Sequence, residues 1–282
     1  MEQANGTPAS DAILRETMSA LRDLGGPRRV TLERVVVGLF FTGVKLSNGH
    51  GGVCFTPLKS IPEAVCCPSS AKALPFAGKL RGREALQVAQ EALSGGPLQK
   101  AIGIAVMNAL TDAQRLRERP RGYTMEAGVD PIDELVIPEG ASVVVVGALV
   151  PYLRLLKARG KPFRVLEQDP VTLKADELPF YAPAERATED IPRADVLIIT
   201  GTTLINGTLD GLLALARPGT HITVVGPTAS MVPDALFRRG VRLVGGIRVT
   251  DPDALLETLA EGGSGYHFFG RSAEKILLRS DS

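Results

Sequence analysis

Tryptophan is absent from the 282-residue sequence, and aromatic residues make up only 5% of it. Proteins that bind single strands of nucleic acid stack bases on aromatic side chains, so the sequence does not favour that class. Neither sign of charge is in excess, because 32 Lys and Arg face 31 Asp and Glu, for a net charge of +1. Without an overall basic field to attract nucleic acid, we expect no nucleic-acid partner.

Cysteine is also scarce and occurs at three positions, Cys54, Cys66 and Cys67. An odd number with two adjacent members does not suit a disulfide framework, and no Cys or His spacing is typical of a structural zinc site. Long apolar runs are missing too, because none approaches the ~18 residues that a membrane helix needs. Residues 1–11 lack the pattern of a signal peptide. We therefore expect a cytoplasmic protein without a membrane partner.

The first half of the chain, residues 1–111, has the pattern of a small α+β domain. Runs rich in Val, Phe and Thr are followed by apolar segments at helical spacing, an order of strands and then helices that is typical of such a unit. The predicted elements are a helix at 11–24, one or two antiparallel strands within 29–46, a strand at 52–56, and helices at 84–93 and 98–110. Residues 112–141 are charged and poorly periodic, and we interpret them as a connection.

The second half, residues 142–282, alternates short apolar runs with helix-length segments. Each run is continuous rather than alternating, as expected of parallel strands that are covered on both faces. This pattern predicts an α/β fold with a Rossmann-like, doubly wound parallel sheet of at least five strands. The predicted strands are residues 143–146, 163–166, 196–199, 222–225 and 241–244.

Glycine, hydroxyl or carboxylate residues follow every predicted strand of the second half, the fifth run being followed by Gly245-Gly246. Ligands of open α/β sheets bind in the crevice outside the carboxyl ends of the strands, so we expect the ligand site there. The candidate ligand-binding residues at this edge are Gly147, Glu167, Thr200, Gly201, Thr202, Thr203, Asn206, Thr208, Gly226, Pro227 and Thr228.

Each of these motifs has a functional and a plain structural interpretation. Gly147 begins the first turn, but its surroundings lack the three-glycine fingerprint of NAD-binding proteins. Glu167 stands 20 residues later, where a carboxylate can accept hydrogen bonds from the hydroxyls of a ribose or another diol, or can form a salt bridge. The polar turn that begins at Thr200 can bind an anion or a carboxylate, or can cap a helix through Asn206 or Thr208.

A glycine-rich loop in the first half carries Lys45, Asn48 and His50. We predict that this loop lies over the crevice, within one chain or across a homodimer. His50 and Lys45 would then join Glu167 as candidate catalytic groups, with His50 as a general acid or base. Asn108 lies inside an apolar helix and either contacts a ligand or satisfies a buried backbone group.

These motifs also carry a resemblance to a known family. The second half resembles the proteins described as “putative heavy-metal chelation” in the strings Thr200-Gly-Thr-Thr-Leu-Ile-Asn-Gly-Thr-Leu209, Val225-Gly-Pro-Thr228 and Glu261-Gly-Gly263. The first half is similar to that family's companion domain in Phe41-Thr-Gly-Val44, Gly49-His-Gly-Gly52 and Met107-Asn-Ala109. The resemblance implies an enolase-N-terminal-like domain followed by a Rossmann-like domain, with the site where the two meet.

Two classes of function stay open at this point. The resemblance implies an enzyme, of lyase, hydrolase or transferase type, that condenses or hydrolyses a polar or anionic metabolite connected with a pterin-, flavin- or siderophore-like chelator. The alternative is a non-catalytic protein that binds a metal chelate or a nucleotide-like ligand. The cofactor is unknown, and whether the protein binds a metal directly is open. A small-molecule ligand is the expected partner in both classes.

Overall fold

The computed structural model describes residues 11–23, 29–61, 73–116 and 122–281. Within these ranges, the first half shows a three-stranded antiparallel sheet with three α-helices, as its pattern predicted. Its elements are α1 (Ala12–Asp23), β1 (Leu32–Val37), β2 (Phe41–Leu46), β3 (Gly51–Phe55), α2 (Ala85–Gln90) and α3 (Pro97–Arg115). The helix α3 begins at Pro97, whose missing N–H costs nothing in the first turn, and it runs five residues beyond the predicted end at 110.

The second half contains a single large sheet. Its strands are β4 (Tyr123–Ala127), β5 (Val143–Val146), β6 (Arg164–Glu167), β7 (Tyr181–Pro183), β8 (Val196–Thr200), β9 (His221–Val225), β10 (Val241–Val249) and β11 (Ala273–Ser280). Its helices are α4 (Val150–Arg159), α5 (Ala187–Asp190), α6 (Leu209–Leu215), α7 (Asp234–Phe237), α8 (Pro252–Ala260) and α9 (Gly265–Phe268). No helix in the described ranges is both long and apolar enough to cross a membrane.

The strand order of this sheet is β4-β11-β10-β9-β8-β5-β6-β7. All five apolar runs form neighbouring parallel strands, which confirms the predicted Rossmann-like α/β fold. Two antiparallel strands extend the sheet, since β11 pairs with β10 and β4 pairs with β11. The strand β4 belongs to residues 112–141, so the predicted connection also supplies an edge strand.

The predicted end of the fifth strand was wrong. Gly245 and Gly246 lie inside β10, which continues to Val249 because it pairs with β11 beyond the edge of the parallel strands. A Cβ on Gly245 would stand 2.1 Å from Cγ of Pro131, and one on Gly246 would stand 2.8 Å from Oγ of Ser230. These glycines therefore allow close packing on the sheet rather than a turn.

The two halves share a continuous apolar interface. The small sheet lies between α3 on one face and α8 on the other, because a Cβ on Gly52 would meet the backbone of α3 and one on Gly43 would meet Leu256 and Leu259 of α8. Val53 and Leu256 are buried in one cluster with residues of β10 and α9. Burial of this apolar surface holds the first half against the carboxyl side of the large sheet.

A charged contact adds to this interface at α1. Glu16 accepts hydrogen bonds from Arg239 and Arg238, each at 2.6 Å, and both arginines follow α7 in the second half. The Arg239 hydrogen bond, opposed by partial burial and reinforced by Arg238, lowers the pKa of Glu16 to about 2. The ionised carboxylate is thus favoured in the folded state.

We expect Glu16→Gln to lower the free energy of unfolding by about 1 kcal/mol at pH 7, a value reduced by solvent screening because the side chain is 36% exposed. A folded-state pKa below the unfolded value stabilises the protein above the unfolded pKa of roughly 4.5, and this contribution disappears as the pH falls towards 2. Urea unfolding should therefore give a constant difference between wild type and variant from pH 7 to 5. The difference should shrink at pH 4 and 3, and a difference that grew there would contradict the contact.

Candidate functional site

A small pocket of about 190 Å³ opens at the carboxyl ends of β5, β6 and β8. The candidate residues that line it, all from the second half, are Gly147, Glu167, Thr200, Thr202, Thr203, Asn206 and Thr208. The carboxyl ends of neighbouring parallel strands meet at one edge, so residues far apart in the chain are brought together there. We call this cavity the carboxyl-edge pocket.

The turn after β5 depends on Gly147. Its φ of +96° is strained for residues with a side chain, and a Cβ there would stand 2.6 Å from Cγ2 of Thr200. The glycine thus lets the β5 turn approach the end of β8. The approach closes one side of the carboxyl-edge pocket.

Glu167 organises the same turn through its carboxylate. Oε2 accepts a hydrogen bond from the backbone N–H of Ala148 at 2.9 Å, and Oε1 accepts from the N–H groups of Gln168 at 2.8 Å and Asp169 at 3.4 Å. No cationic side chain contacts Glu167 in the described part of the chain, so the salt-bridge interpretation is not supported. A carboxylate offers about four acceptor positions, so capacity is left for a ligand hydroxyl.

The polar turn after β8 is held by its own side chains. The hydroxyl of Thr203 donates to the carbonyl of Thr200 at 2.7 Å, and that of Thr202 donates to Oγ1 of Thr200 at 3.2 Å. Oδ1 of Asn206 accepts from the N–H and the hydroxyl of Thr208, at 3.2 and 2.7 Å. Thr208 precedes α6 without a side-chain cap bond.

One polar group of this turn remains available for a ligand. The amide Nδ2 of Asn206 has no hydrogen-bond partner among the residues that the structure describes. Gly201 does not line the pocket, and it packs against Ala229 instead, with its Cβ position 3.2 Å from Cβ of that residue.

The turn from Gly226 to Thr228 contacts the first half of the protein rather than the carboxyl-edge pocket. Thr228 is 1% exposed, and its Oγ1 accepts a hydrogen bond from the N–H of Phe55 at 3.1 Å. Asn108 donates from Nδ2 to the carbonyls of Val53, Pro227 and Thr228, at 2.8, 3.3 and 3.2 Å. The amide nitrogen of this polar residue within α3 therefore joins β3 to the turn after β9, while its buried Oδ1 has no hydrogen-bond partner among the described residues.

The glycine-rich loop packs near the ends of α3 and α8. Nδ1 of His50 lies 2.8 Å from Oδ2 of Asp112 on α3. Asp112 is 6% exposed and the His50 side chain is 21% exposed, so the carboxylate is buried and the imidazole ring is partly accessible. Asn48 accepts a hydrogen bond from the backbone N–H of His50 at 3.3 Å. Asp112 was not predicted from the sequence, because 62 residues separate it from His50 and no spacing connects them.

Lys45 is occupied by carboxylates. Its Nζ lies 2.8 Å from Asp253 and 2.9 Å from Glu33. The hydrogen bonds to Asp253 and Glu33 raise the pKa of Lys45, which keeps it an ammonium ion and opposes a role as a general base.

The predicted residues thus fall into separate groups. The described lining of the carboxyl-edge pocket includes Glu167 but no residue of the 45–50 loop. The loop contacts Asp112 of α3 and Asp253 of α8, whereas the turn after β9 contacts Asn108 of α3 and Phe55 of β3.

The donors that could bind a metal directly are sparse. In the described ranges, no three side chains of His, Cys, Asp or Glu converge in a way that could hold an ion. Cys54 is buried, and burial raises the pKa of its thiol, so the metal-binding thiolate is disfavoured. Cys66 and Cys67 lie outside the described residues.

Related proteins share this fold. A protein of unknown function from the DUF364 family of Pyrococcus horikoshii has a crystal structure that aligns with a TM-score of 0.74 at 20% identity, over 94% of this chain and 98% of that one. A second DUF364 protein, from Desulfitobacterium hafniense DCB-2, aligns with a TM-score of 0.71 at 21% identity, over 95% of this chain and 98% of that one. Both likenesses are to the fold.

Sequence comparison gives the family itself. An uncharacterised protein of Methanocaldococcus jannaschii is 28% identical over 183 residues, which span 64% of this chain and 66% of that protein, slightly under two thirds of its length. A family model described as “Putative heavy-metal chelation” matches residues 20–111. A second model with the same description, that of DUF364, matches residues 130–278, more than half of the sequence. The chain, whose parallel sheet carries the carboxyl-edge pocket, therefore belongs to the DUF364 family described as “Putative heavy-metal chelation”.

Proposed function

We propose that the protein binds a small hydroxyl-bearing organic molecule, either a sugar-like metabolite or the organic chelator of a metal ion, in the carboxyl-edge pocket. The observation that carries this proposal is the convergence of the Glu167 carboxylate with the Asn206 amide and the Thr202 and Thr208 hydroxyls around one cavity of about 190 Å³. Carboxylate and amide groups side by side can bind a diol, because one accepts and the other donates hydrogen bonds.

The fixed positions of these groups favour binding. Both carboxylate oxygens of Glu167 accept hydrogen bonds from backbone N–H groups, and the Thr200–Thr208 turn is stabilised by hydrogen bonds between its own residues. A ligand therefore meets polar atoms that are already ordered, and little conformational entropy is lost on binding.

The chemistry of the donors bears on the metal. The family description names heavy-metal chelation, yet the described residues do not gather the three or more ionisable donors of a protein metal site. Hard and soft cations alike need several ligands. We therefore propose that the metal reaches this protein as a complex, held by an organic ligand whose hydroxyls contact the pocket.

Catalysis is the second candidate, and the His50–Asp112 pair supports it. A buried carboxylate bonded to Nδ1 fixes the orientation of the imidazole and leaves Nε2 as the nitrogen that can exchange a proton. The pair does not line the carboxyl-edge pocket as described, so it would condense or hydrolyse the ligand only if the 45–50 loop approaches that pocket in the ligand-bound protein. Consumption of a bound ligand by wild type, lost in His50→Gln with binding retained, would favour the enzyme over the binder.

We expect Glu167→Gln to weaken ligand binding at least tenfold, because a hydrogen bond to a charged group is worth roughly 1.5–3 kcal/mol. The probes are ribose and catechol, two small diols, measured by calorimetry alongside mass spectrometry of material that co-purifies with wild type. Glu185→Gln removes a nearby exposed carboxylate that does not line the pocket, and should leave the affinity unchanged.

Two results would contradict the pocket as the binding site. One is an affinity of the Glu167→Gln variant for the bound diol that lies within twofold of the wild-type affinity. The other is the absence of both a co-purified organic molecule and saturable binding of either probe. Asn206→Ala gives an independent check, because it removes the free amide and leaves the Glu167 turn intact.

A further inference from the structure

A larger groove of about 800 Å³ lies at the opposite edge of the sheet, at the amino ends of β5 and β6. Residues 140–144, the end of α4, residues 160–164 and the segment before β7 form its walls. It lies at the opposite edge of the sheet from the carboxyl-edge pocket. None of the sequence strings that resemble the family forms part of its lining. We call it the basic groove.

The charge of its lining is strongly positive. The ionisable residues of the lining are Lys157, Arg159, Lys161, Arg164, Arg193 and Asp190. Five cations thus face one carboxylate, whereas the whole chain has a net charge of +1. A cleft lined by one sign of charge concentrates the field and attracts ligands of the opposite sign.

Some of these charges already have partners. Lys157 is paired with Asp176 at 2.7 Å and Glu177 at 3.1 Å, and the Asp190 carboxylate is paired with Arg186 at 3.2 Å. Arg159 donates to the carbonyl of Pro138 at 2.8 Å, which fixes its guanidinium without neutralising it. Its position in the last turn of α4 also suits the negative end of the helix dipole.

Three cations remain uncompensated. Lys161, Arg164 and Arg193 are exposed, and their side chains have no hydrogen bond or ion pair with any residue that the structure describes. The helix dipole of α4 does not account for Arg164, which begins β6, or for Arg193, which precedes β8. Their convergence on one groove favours an anion with several negative oxygens, such as a phosphate chain.

An aromatic pair stands in the same groove. The rings of Phe163 and Phe180 are stacked, with centroids 4.1 Å apart and planes 15° apart. Phe163 is buried while Phe180 is partly exposed, so the outer ring of the stack is accessible. A planar heterocycle can stack on such a ring.

From the cations and the aromatic pair together, we infer that the basic groove binds a nucleoside diphosphate or triphosphate. Its phosphates contact Lys161, Arg164 and Arg193, and its base stacks on Phe180. The volume of about 800 Å³ lies within the range of small-molecule sites. This site is separate from the one in the proposed function, so either can fail without the other.

The test is calorimetric titration of the full chain with ADP and with pyrophosphate at low salt. ADP should bind saturably, and its affinity should fall on raising the salt from about 50 to 200 mM, because screening weakens contacts between exposed charges. The double variant Arg164→Ala/Arg193→Ala should lose at least tenfold in affinity for both probes. The Arg164→Lys/Arg193→Lys variant keeps both charges and should retain most of the affinity. Retained binding in this variant would show that substitution at these two positions leaves the fold intact.

Further variants separate the parts of the proposal. Phe180→Leu should weaken ADP about fivefold or more and leave pyrophosphate unchanged. Arg242→Ala removes an exposed arginine of β10 away from the groove and should not alter the binding of either probe. Absence of saturable ADP binding, or undiminished affinity in the double alanine variant, would overturn the site. The nucleotide assignment would be overturned if wild type bound ADP and pyrophosphate with equal affinity and the Phe180→Leu variant kept both affinities unchanged.

Discussion

Gly52→Ala should destabilise the protein by about 3 kcal/mol, near the top of the range for overpacked cores. The added Cβ would lie 2.2 Å from the carbonyl oxygen of Ala105 and 2.6 Å from the nitrogen of Ala109. Both atoms belong to the backbone of α3, so no side-chain rotation can relieve the contact, and the helix must move off the sheet. Thermal unfolding should show a midpoint lowered by about 5–10 °C for a chain of this size.

Gly211→Ala is the matched control for this change. Gly211 lies in α6 with no heavy atom within 4 Å of its Cβ position, and alanine has the higher helix propensity. That variant should be as stable as wild type or more stable by up to about 1 kcal/mol. A Gly52→Ala protein that unfolded within about 0.5 kcal/mol of wild type would show that α3 does not pack as described.

Asn108→Asp should be as damaging, with a loss of at least about 3 kcal/mol at neutral pH. The amide nitrogen that donates to three carbonyls would be replaced by a carboxylate oxygen at a position that is 4% exposed. The new charge would face the carbonyls of Val53, Pro227 and Thr228 without a donor. The loss, measured by urea unfolding against wild type, should shrink as the pH falls, because protonation removes the buried charge.

Two comparisons make this second result interpretable. Gln87→Glu introduces the same change of charge at an exposed position of α2 and should cost less than about 0.5 kcal/mol. Asn108→Ala removes the hydrogen bonds without adding a charge and should fall between the two. Equal stabilities for the Asn108→Asp and Asn108→Ala variants at pH 7 would contradict the orientation of the amide.

Both residues were visible in the sequence, but their roles were not. Asn108 stood out as a polar residue within an apolar helix, and the sequence left a ligand and a backbone partner as alternatives. Its partners come from β3 and from the turn after β9, which lie 55 and about 120 residues away. The backbone partners become visible only once the two halves pack together.

The parallel strands were predictable for a simple reason. Strands such as β5 and β8 are buried on both faces, so their apolar character is continuous and stands out from the helical segments between them. The strand β4 has no such run, because it lies at the edge and is largely exposed. It was therefore absorbed into the predicted connection.

The candidate site was predictable to the extent that it depends on the sheet. Gly147, Glu167 and the turn after Thr200 follow strands that run side by side, and all three line the carboxyl-edge pocket. The partner of His50 was not predictable, since the Asp112 carboxylate reaches it through the docking of α3 on a hairpin. Whether the loop at 45–50 acts together with the pocket stays a prediction for ligand-binding experiments.

The position of β4 has a consequence for the order of events during biosynthesis. Met125 of β4 pairs with Leu278 of β11, so β4 is synthesised about 150 residues before the strand with which it pairs. Such distant pairing slows folding and leaves strand edges open in the meantime. The strand β11 should therefore insert between β4 and β10 as a late step of folding. Ribosome-bound intermediates that end before residue 273 should be sensitive to proteases around residues 123–127.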